Sequence, residues 1–342
     1  MSELIDHLAE LTGQRDRDVI DVTLVGALRD MIDTVSVSIY RSIGEPGHER
    51  WLTRARLVGR DAAAQADPAW SDPDGLPRLA DFPLRFAALR DDRVIEQAGA
   101  THLTLFPVVT DREVVGVLEI ETATALDAQR QRTVAGVLRI FRNFQGLLDY
   151  SERDSLTGLL NRKTFDESFL KASAESSAAE AADADGRRVA APVCQFWLGL
   201  IDIDHFKRVN DQFGHLIGDE VLLLLSRLMR GSLRSRDRLY RFGGEEFVAL
   251  VRCHGSEAAA VAFERLRANV EAYAFPQVEH ITVSIGFSQV QAGDSPTGAF
   301  ERADKSVYFV KSHGRNQVRC HEALVASGEL ADDNKVSDVE LF

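Results

Sequence analysis

The chain has 342 residues, of which 45% are hydrophobic and 27% are charged, and its formal net charge is −13. This is the composition of an ordinary globular protein with room for about two domains, and the negative charge argues against a nucleic-acid partner. No run approaches the roughly 18 apolar residues of a membrane span. Residues 1–10 lack the features of a secretory signal, and three isolated cysteines are typical of a reducing compartment, so we expect a cytoplasmic protein.

The first third of the chain predicts a small α/β domain. Apolar residues at helical spacing predict a helix over residues 18–33, and strand-like patterns predict strands over residues 35–43 and 51–58. A proline-rich stretch predicts a loop over residues 66–84. Two further strand-like runs within residues 103–120 predict a hairpin. This order, with Phe106-Pro107-Val108 followed by Gly116-Val117-Leu118, resembles a GAF-type sensor, and a PAS-like sensor is the alternative. We place the sensor at residues 1–126 and expect it to receive a small-molecule or protein signal.

A helical linker is predicted over residues 127–152. Its apolar residues follow the 3-4-3-4 spacing of a heptad repeat: Val134, Val137, Phe141, Phe144 and Leu148. Such a seam predicts a coiled-coil stalk that pairs with the same helix of a second chain. The alternative is a helix that packs on its own sensor domain.

An apolar run at residues 196–203 predicts a buried strand that ends in acids. Alternation along the strand sends Asp202 and Asp204 to one face of the sheet. Ligands of open α/β sheets bind at the carboxyl edge of the strands, so we expect a site here. Asp204 alone has a second explanation, as the cap of the next helix. Residues 172–192, rich in Ala, Ser and Glu, predict a mobile insertion or a frayed helical extension before the strand.

Residues 241–247 read Arg-Phe-Gly-Gly-Glu-Glu-Phe and predict a tight hairpin with acids at its tip. Glycine adopts positive φ without steric cost, and its missing side chain lets a ligand approach the backbone. Glu245 and Glu246 would join Asp202 around a hard cation such as Mg²⁺, with substrate phosphates completing the coordination.

Five motifs in order make residues from about 150 to 322 resemble a GGDEF domain, the diguanylate cyclase family. They are Asp154-Ser155-Leu156-Thr157-Gly158-Leu159 with Asn161-Arg162, the polar series from Asp202 to Asp219, Gly243-Gly244-Glu245-Glu246-Phe247, Val283-Ser284-Ile285-Gly286, and Ala303-Asp304 through Lys311 to Gly314-Arg315-Asn316. The resemblance implies an α/β (α+β) domain with a central mixed sheet flanked by helices, related to nucleotidyl cyclases and polymerase palms. We place it at residues 153–322, with a flexible tail at residues 323–342.

The resemblance also implies the reaction, which is condensation of two GTP molecules, one on each protomer of a homodimer, into cyclic di-GMP. Mg²⁺ is the implied cofactor and Mn²⁺ the alternative, held by Asp202, Glu245, Glu246 and the Ile203 carbonyl. Glu245 would be the acid nearest the attacking 3′-hydroxyl. The implied substrate-binding residues are Phe206, Lys207, Asn210, His215, Asp219, Gly243, Gly244, Lys311 and Arg315. Among them, Asn210 and Asp219 would read guanine, and Lys207, Lys311 and Arg315 would bind phosphates.

Arg234 and Asp237 resemble the Arg-x-x-Asp site at which this family binds its product as an inhibitor. Arginine can take guanine O6 and N7 bidentately, and aspartate can accept from guanine N1 and N2. Two other functions stay open: an inactive domain that binds GTP or cyclic di-GMP and signals through protein contacts, and a sensor-driven dimerisation module. The complete series of acids and guanine-reading residues argues against both.

Overall fold

The computed structural model describes residues 2–44, 47–68, 71, 73–110, 113–184, 194–234 and 236–331. The chain divides into two compact units, Met1–Ser151 and Glu152–Phe342. Within the described residues, every helix is too short or too polar to cross a lipid bilayer.

The first unit is built on an antiparallel sheet. Its elements are α1 (Ser2–Gly13), α2 (Arg17–Met31), β1 (Ser36–Ile43), β2 (Arg50–Val58), α3 (Pro83–Asp91), β3 (Ile95–Ala98), β4 (His102–Val109), β5 (Val114–Thr122) and α4 (Ala128–Glu152). The strand order is β2-β1-β5-β4-β3. The predicted helix, strands and hairpin are confirmed, and in the described part of the predicted loop short 3-10 turns precede α3. Strand β3 was not predicted, because this edge strand is mostly exposed and has no apolar alternation.

The heptad seam of α4 packs into its own unit. Val134, Val137, Phe141, Phe144 and Leu148 all belong to one buried cluster with residues of α2 and the sheet. Phe144 is the most accessible of them, at 9% exposure. The prediction that this seam pairs with a second chain is therefore wrong. Heptad spacing gives a helix one apolar stripe, and a sheet can cover that stripe as well as another helix can.

The second unit contains a mixed sheet flanked by helices, as predicted. Its elements are β6 (Leu160–Asn161), α5 (Arg162–Ala184), β7 (Gln195–Ile203), α6 (Phe206–Phe213), α7 (His215–Ser232), β8 (Arg238–Gly243), β9 (Glu246–Cys253), α8 (Gly255–Ala272), β10 (Val283–Gln289), α9 (Pro296–Ser312), β11 (Val318–Cys320) and α10 (His321–Ala326). The strand order is β11-β10-β7-β9-β8-β6. The outermost strands β6 and β11 pair in parallel with their neighbours, and the inner strands pair antiparallel.

A close approach between α9 and β10 fixes the position of α9. A Cβ built on Gly286 would lie 2.4 Å from the Ala303 carbonyl oxygen and 2.4 Å from the Val307 nitrogen. Only glycine leaves room for this contact, which explains the glycine of the Val-Ser-Ile-Gly motif. Helix α9 consequently crosses the sheet directly behind β10 and β7, with its last turn near the edge where β7 ends.

Two boundaries differ from the sequence prediction or lie partly outside the described residues. Helix α5 continues to Ala184, well into the predicted insertion, and residues 185–193 lie outside the described part of the chain. Helix α10 extends beyond residue 322, where a flexible tail was expected to begin, because Leu324 is buried.

Candidate functional site

The acids predicted from the sequence meet at one edge of the second sheet. Asp202, near the end of β7, is 6% exposed and lies opposite Glu246 in the β7–β9 register. On its other side it lies opposite Ser284 of β10. Glu245 occupies the turn just before β9. The antiparallel pairing of β7 with β9 therefore places the strand-end acid beside the acidic hairpin tip.

The hairpin tip depends on its glycines. Gly243 has φ +152° and Gly244 has φ +51°, and the β8–β9 register shifts at this point. At Gly244 the backbone is left-handed, which favours glycine. A Cβ built on either glycine would meet no atom within 4 Å, so the backbone of the tip is open to a ligand.

The charges at this edge are incompletely balanced. The Lys311 ammonium lies 2.7 Å from Asp202 Oδ2. Burial raises the pKa of Asp202, and the charges of Asp204 and Asp304 raise it further against the opposing effect of Lys311. Burial and then the charge of Asp202 likewise raise the pKa of Glu245. Burial and neighbouring acids disfavour the charged form of these carboxylates, and a bound hard cation would stabilise it.

The described residues do not form a ready-made metal cage, since no group of three or more His, Cys, Asp or Glu side chains among them gathers at ligand spacing. Mg²⁺ is usually held by one or two carboxylates together with substrate phosphates, so Asp202 and Glu245 fit it. Ligation by Glu246 and by the Ile203 carbonyl stays a prediction. The Ile203 side chain lies in the hydrophobic core.

The predicted guanine-reading residues lie where α6 and α7 touch. A Cβ built on Gly218 would lie 2.0 Å from Asn210 Oδ1, so the missing side chain lets the two helices approach around Asn210. His215 and Asp219 are exposed on the first turns of α7. The structure thus brings Asn210 next to the residue that precedes Asp219. Guanine binding by these side chains stays a prediction.

The remaining substrate residues differ in exposure. Phe206 is 4% exposed and belongs to the core, which leaves its backbone for contact with a ligand. Lys207 is exposed on α6. Lys311 lies in the last turn of α9, and Arg315 follows that helix with a left-handed backbone.

Arg241 is a residue of this site to which the sequence analysis assigned no role. Its guanidinium donates to the Gly244 carbonyl oxygen at 2.9 Å and 3.2 Å and pairs with Asp154 Oδ1 at 3.1 Å. Asp154 Oδ1 also accepts from the Thr157 amide at 2.8 Å and the Thr157 hydroxyl at 2.7 Å. Burial opposes ionisation of Asp154, but these donors hold its pKa below the ordinary value. An arginine two residues before a Gly-Gly turn was the available signal, because exposed turn carbonyls need donors.

Asp204 does not cap the following helix. Helix α6 begins after His205, which makes no side-chain capping bond. The Asp204 carboxylate instead accepts from the hydroxyls of Thr282 and Ser284, at 2.7 Å and 2.6 Å. The capping explanation is wrong because the helix is capped one residue later and the Asp204 carboxylate is used by donors just before and within β10.

Arg234 and Asp237 share the turn before β8, in which Ser235 lies outside the described residues. The Arg234 amide donates to Asp237 Oδ2 at 2.8 Å, and the Asp237 amide donates to the Arg234 carbonyl at 2.9 Å. Burial raises the pKa of Asp237, although backbone donors and neighbouring arginines oppose the shift. Arg234 and Asp237 are therefore joined by hydrogen bonds within a single turn, and product binding there stays a prediction.

Comparison with known proteins agrees with this arrangement of the second unit. The family model described as "Diguanylate cyclase, GGDEF domain" matches residues 151–317, a little under half of the chain. Diguanylate cyclase DgcP of Pseudomonas aeruginosa is 43% identical over 124 residues, which are 35% of this chain and 18% of that protein. Diguanylate cyclase DgcZ of Escherichia coli is 36% identical over 170 residues, which are 49% of this chain and 52% of that protein.

Among solved structures, the coiled coil and GGDEF domain of DgcB from Caulobacter crescentus, in complex with c-di-GMP, is 29% identical with a TM-score of 0.47. The alignment covers 58% of this chain and 100% of that one. The chain spans about half or less of the length of the two curated relatives. Residues 151–317 are a GGDEF domain of the diguanylate cyclase family.

Proposed function

We propose that the protein is a diguanylate cyclase that condenses two GTP molecules into cyclic di-GMP, with release of two pyrophosphates. The observation that carries the proposal is the pairing of β7 with β9, which sets Asp202 beside the acidic Gly-Gly hairpin and within 2.7 Å of the Lys311 ammonium. The relatives that match this half of the chain bear the name diguanylate cyclase.

The acids of the sheet edge would hold Mg²⁺, with Mn²⁺ as the alternative. Asp202 and Glu245 are the first ligands, and Glu246 and the Ile203 carbonyl complete the proposed set. When bound, the metal neutralises phosphate charge and lowers the pKa of a coordinated hydroxyl. Glu245 lies at the turn, beside glycines that leave space for a ligand, and would accept the proton of the attacking 3′-hydroxyl.

The rest of the site would bind and orient GTP. Asn210 and Asp219 offer an amide and an acceptor for the guanine edge, and exposed His215 supports them. Lys207, Lys311 and Arg315 would bind the phosphates, with lysine as a point charge and arginine as a bidentate fork. Phosphoryl transfer depends mainly on such positioning and charge neutralisation, and these residues supply both.

Cyclic di-GMP contains two nucleotides, so we infer that two chains must face each other. The heptad seam of α4 is buried within the first unit. The outer face of this helix carries Ile140, Leu147 and Tyr150, which are 37%, 67% and 83% exposed. These residues are spaced by seven and three positions, as on one face of a helix. A second copy of the same face is the proposed partner.

Leu147→Glu tests this dimer, with Ala135→Glu as a control that adds the same charge on another exposed face of α4. We expect the first variant alone to shift sedimentation toward the monomer and to lose synthesis, while each protomer still binds GTP. A Leu147→Glu protein that stays dimeric would exclude this face as the interface.

The first unit is proposed to be a GAF-type sensor that receives a small-molecule or protein signal. The support is its order of helix, strands, loop, hairpin and closing helix, which a PAS-like sensor would share. Arg234 and Asp237 are proposed as the product site, because one turn presents an arginine and a carboxylate together.

Incubation of the purified protein with GTP and Mg²⁺, followed by chromatography of the nucleotides, tests the main proposal. We expect cyclic di-GMP and pyrophosphate from the wild type and neither product from Asp202→Asn. Wild-type protein that binds GTP and leaves it unchanged would favour the inactive receptor instead.

A further inference from the structure

Asp204 is buried two residues after Asp202 and binds three donors from two other segments. Its Oδ1 accepts from the Ser284 hydroxyl at 2.6 Å, and its Oδ2 accepts from the Thr282 hydroxyl at 2.7 Å. Oδ2 also accepts from the backbone amide of Asn316 at 3.1 Å. This carboxylate therefore ties the end of β7 both to β10 and to the segment that follows α9.

Asn316 is held a second time, through its side chain. Its Oδ1 accepts from Arg267 Nη1 at 2.7 Å, and its Nδ2 donates to Glu271 Oε1 at 2.7 Å. Both partners lie on α8. Residue 316 is thus fixed from the sheet edge by its amide and from α8 by its side chain.

The backbone held in this way is an uncommon one. Arg315 has φ +62° and Asn316 has φ +48°. Two consecutive residues with side chains seldom adopt the left-handed region, although Asn tolerates it better than most. Without the contacts of Asn316, this segment would relax toward a more common conformation. Relaxation there would redirect the side chain of the residue just before it, Arg315.

Arg315 depends on this backbone more than Lys311 does. The Lys311 ammonium is anchored on Asp202 at 2.7 Å. In the part of the chain that the structure describes, no ion pair or side-chain hydrogen bond holds the Arg315 guanidinium. Its direction is therefore set by the left-handed backbone and not by a partner of its own.

We propose that Asp204, acting through the Asn316 amide, is a positioning residue that directs Arg315 toward the triphosphate of the substrate. The inference rests on the proposed cyclase function of the same edge. Asp204 touches no reacting atom in this scheme. It determines how well the free guanidinium meets the phosphates, and Asn316 with α8 completes the support.

Binding of 3′-deoxy-GTP and of GMP, measured by calorimetry in Mg²⁺, tests the proposal on the full chain. The deoxy nucleotide lacks the attacking hydroxyl and stays unconverted, and GMP lacks the outer phosphates. We expect Asp204→Asn to weaken 3′-deoxy-GTP about tenfold and to leave GMP nearly unchanged. In an Arg315→Ala background the same substitution should have no further effect, because residues coupled through a shared backbone segment are not additive, whereas independent ones are.

Thr282→Val is the matched control, since it removes a donor to the same Oδ2 and leaves the Asn316 amide in place. Thr282→Val should not change the affinity for 3′-deoxy-GTP relative to that for GMP. Equal losses for 3′-deoxy-GTP and GMP, or an Asp204→Asn effect that persists without Arg315, would overturn the inference. If Asp204→Asn fails to fold by circular dichroism, Asn316→Ala decides, and it must show the same coupling to Arg315.

The wild-type measurements separate this inference from the function on which it rests. Wild-type protein that binds neither nucleotide would contradict both. Wild-type protein that makes cyclic di-GMP and binds 3′-deoxy-GTP, but shows no coupling between residues 204 and 315, would contradict the positioning role alone.

Discussion

Both units bury acids, but they neutralise them differently. In the first unit, Asp21 of α2 is 2% exposed and accepts from Arg54 Nε at 2.8 Å, with Arg41 Nη2 at 3.9 Å. Arg54 also pairs with Asp18. In the second unit, Lys311 pairs with Asp202 and also lowers the pKa of Glu245. The buried acid of the first unit is paired with arginines, whereas in the second unit Asp202 is paired with a lysine and lies beside a further acid, Glu245.

The pKa shifts follow the same division. Burial alone would lower the pKa of Arg54, but its pairing with Asp21 and Asp18 raises it above the ordinary value. Asp202 and Glu245 are shifted upward, in the direction that disfavours their charge. A buried acid that is paired with arginines stabilises the fold. Acids whose charged form is disfavoured are instead stabilised when a cation binds to them. Functional acids can thus be distinguished from structural ones by their missing partners.

Glu245→Gln should have the largest effect on activity. The substitution keeps the volume and removes the charge that a metal or an attacking hydroxyl would use, so synthesis should fall by about 100- to 1,000-fold. Thermal stability should stay unchanged or rise slightly, because a carboxylate with too little positive charge nearby is lost.

Initial rates of cyclic di-GMP formation and melting curves measure these two outcomes. Glu257→Gln, an exposed acid in the first turn of α8, is the control and should behave as wild type. Substantial residual synthesis by Glu245→Gln would show that Glu246 carries the role alone.

Asp21→Asn should show the opposite pattern. Removing this buried carboxylate takes away the acid nearest Arg41 and leaves Arg54 with the half-exposed Asp18, and should cost about 3 kcal/mol in the first unit. Hydrogen exchange measured by peptide should rise in α2, β1 and β2 and remain unchanged in β7 and β9. Asp18→Asn is the matched control, because Asp18 pairs with the same arginine from a side chain that is 45% exposed, and its effect should be much smaller. Equal effects of the two variants would contradict the comparison.

Arg241→Lys should give a smaller loss of activity. Lysine keeps the charge toward Asp154 but cannot also donate two bonds to the Gly244 carbonyl, so the hairpin tip should lose its fixed geometry. Synthesis should fall about tenfold with little change in GTP binding. Asp154→Asn should act in the same direction and should add little to Arg241→Lys. Fully additive losses would show that the two residues do not work through one contact.

Much of the fold followed from local patterns. Strand β7 was predictable because it is buried on both faces and therefore apolar throughout, and the β8–β9 hairpin because its glycines take positive φ. The role of the α4 seam was not predictable, because spacing gives the apolar stripe of a helix and not what covers it. Packing against α2 and the sheet decides that question, and it is a tertiary fact.

Only part of the candidate site was predicted from the sequence. Strand pairing joins residues 202 and 246, so an acid at a strand end and an acidic hairpin could be matched in advance. Asp204 was misassigned because its donors, Thr282 and Ser284, lie about 80 positions away in sequence and carry no local signal. Arg241 was missed for a similar reason, since Asp154 is 87 positions distant. Contacts between remote segments are what the sequence pattern could not supply.

Asp237 shares features with both the structural and the functional acids, and Arg234→Ala tests which role it has. Burial raises its pKa, yet the Arg234 backbone amide and neighbouring arginines act against the shift. The Arg234 side chain is exposed, so its removal should leave the turn intact because the backbone bonds remain. Loss of a bidentate guanine contact should weaken product binding by roughly 1–3 kcal/mol without lowering the initial rate. Progress curves should then continue past the point at which wild type slows.

Arg319→Ala, an exposed arginine of β11, is the control and should slow as wild type does. Identical plateaus for wild type and Arg234→Ala would place Asp237 with Asp21, as an acid that serves the fold.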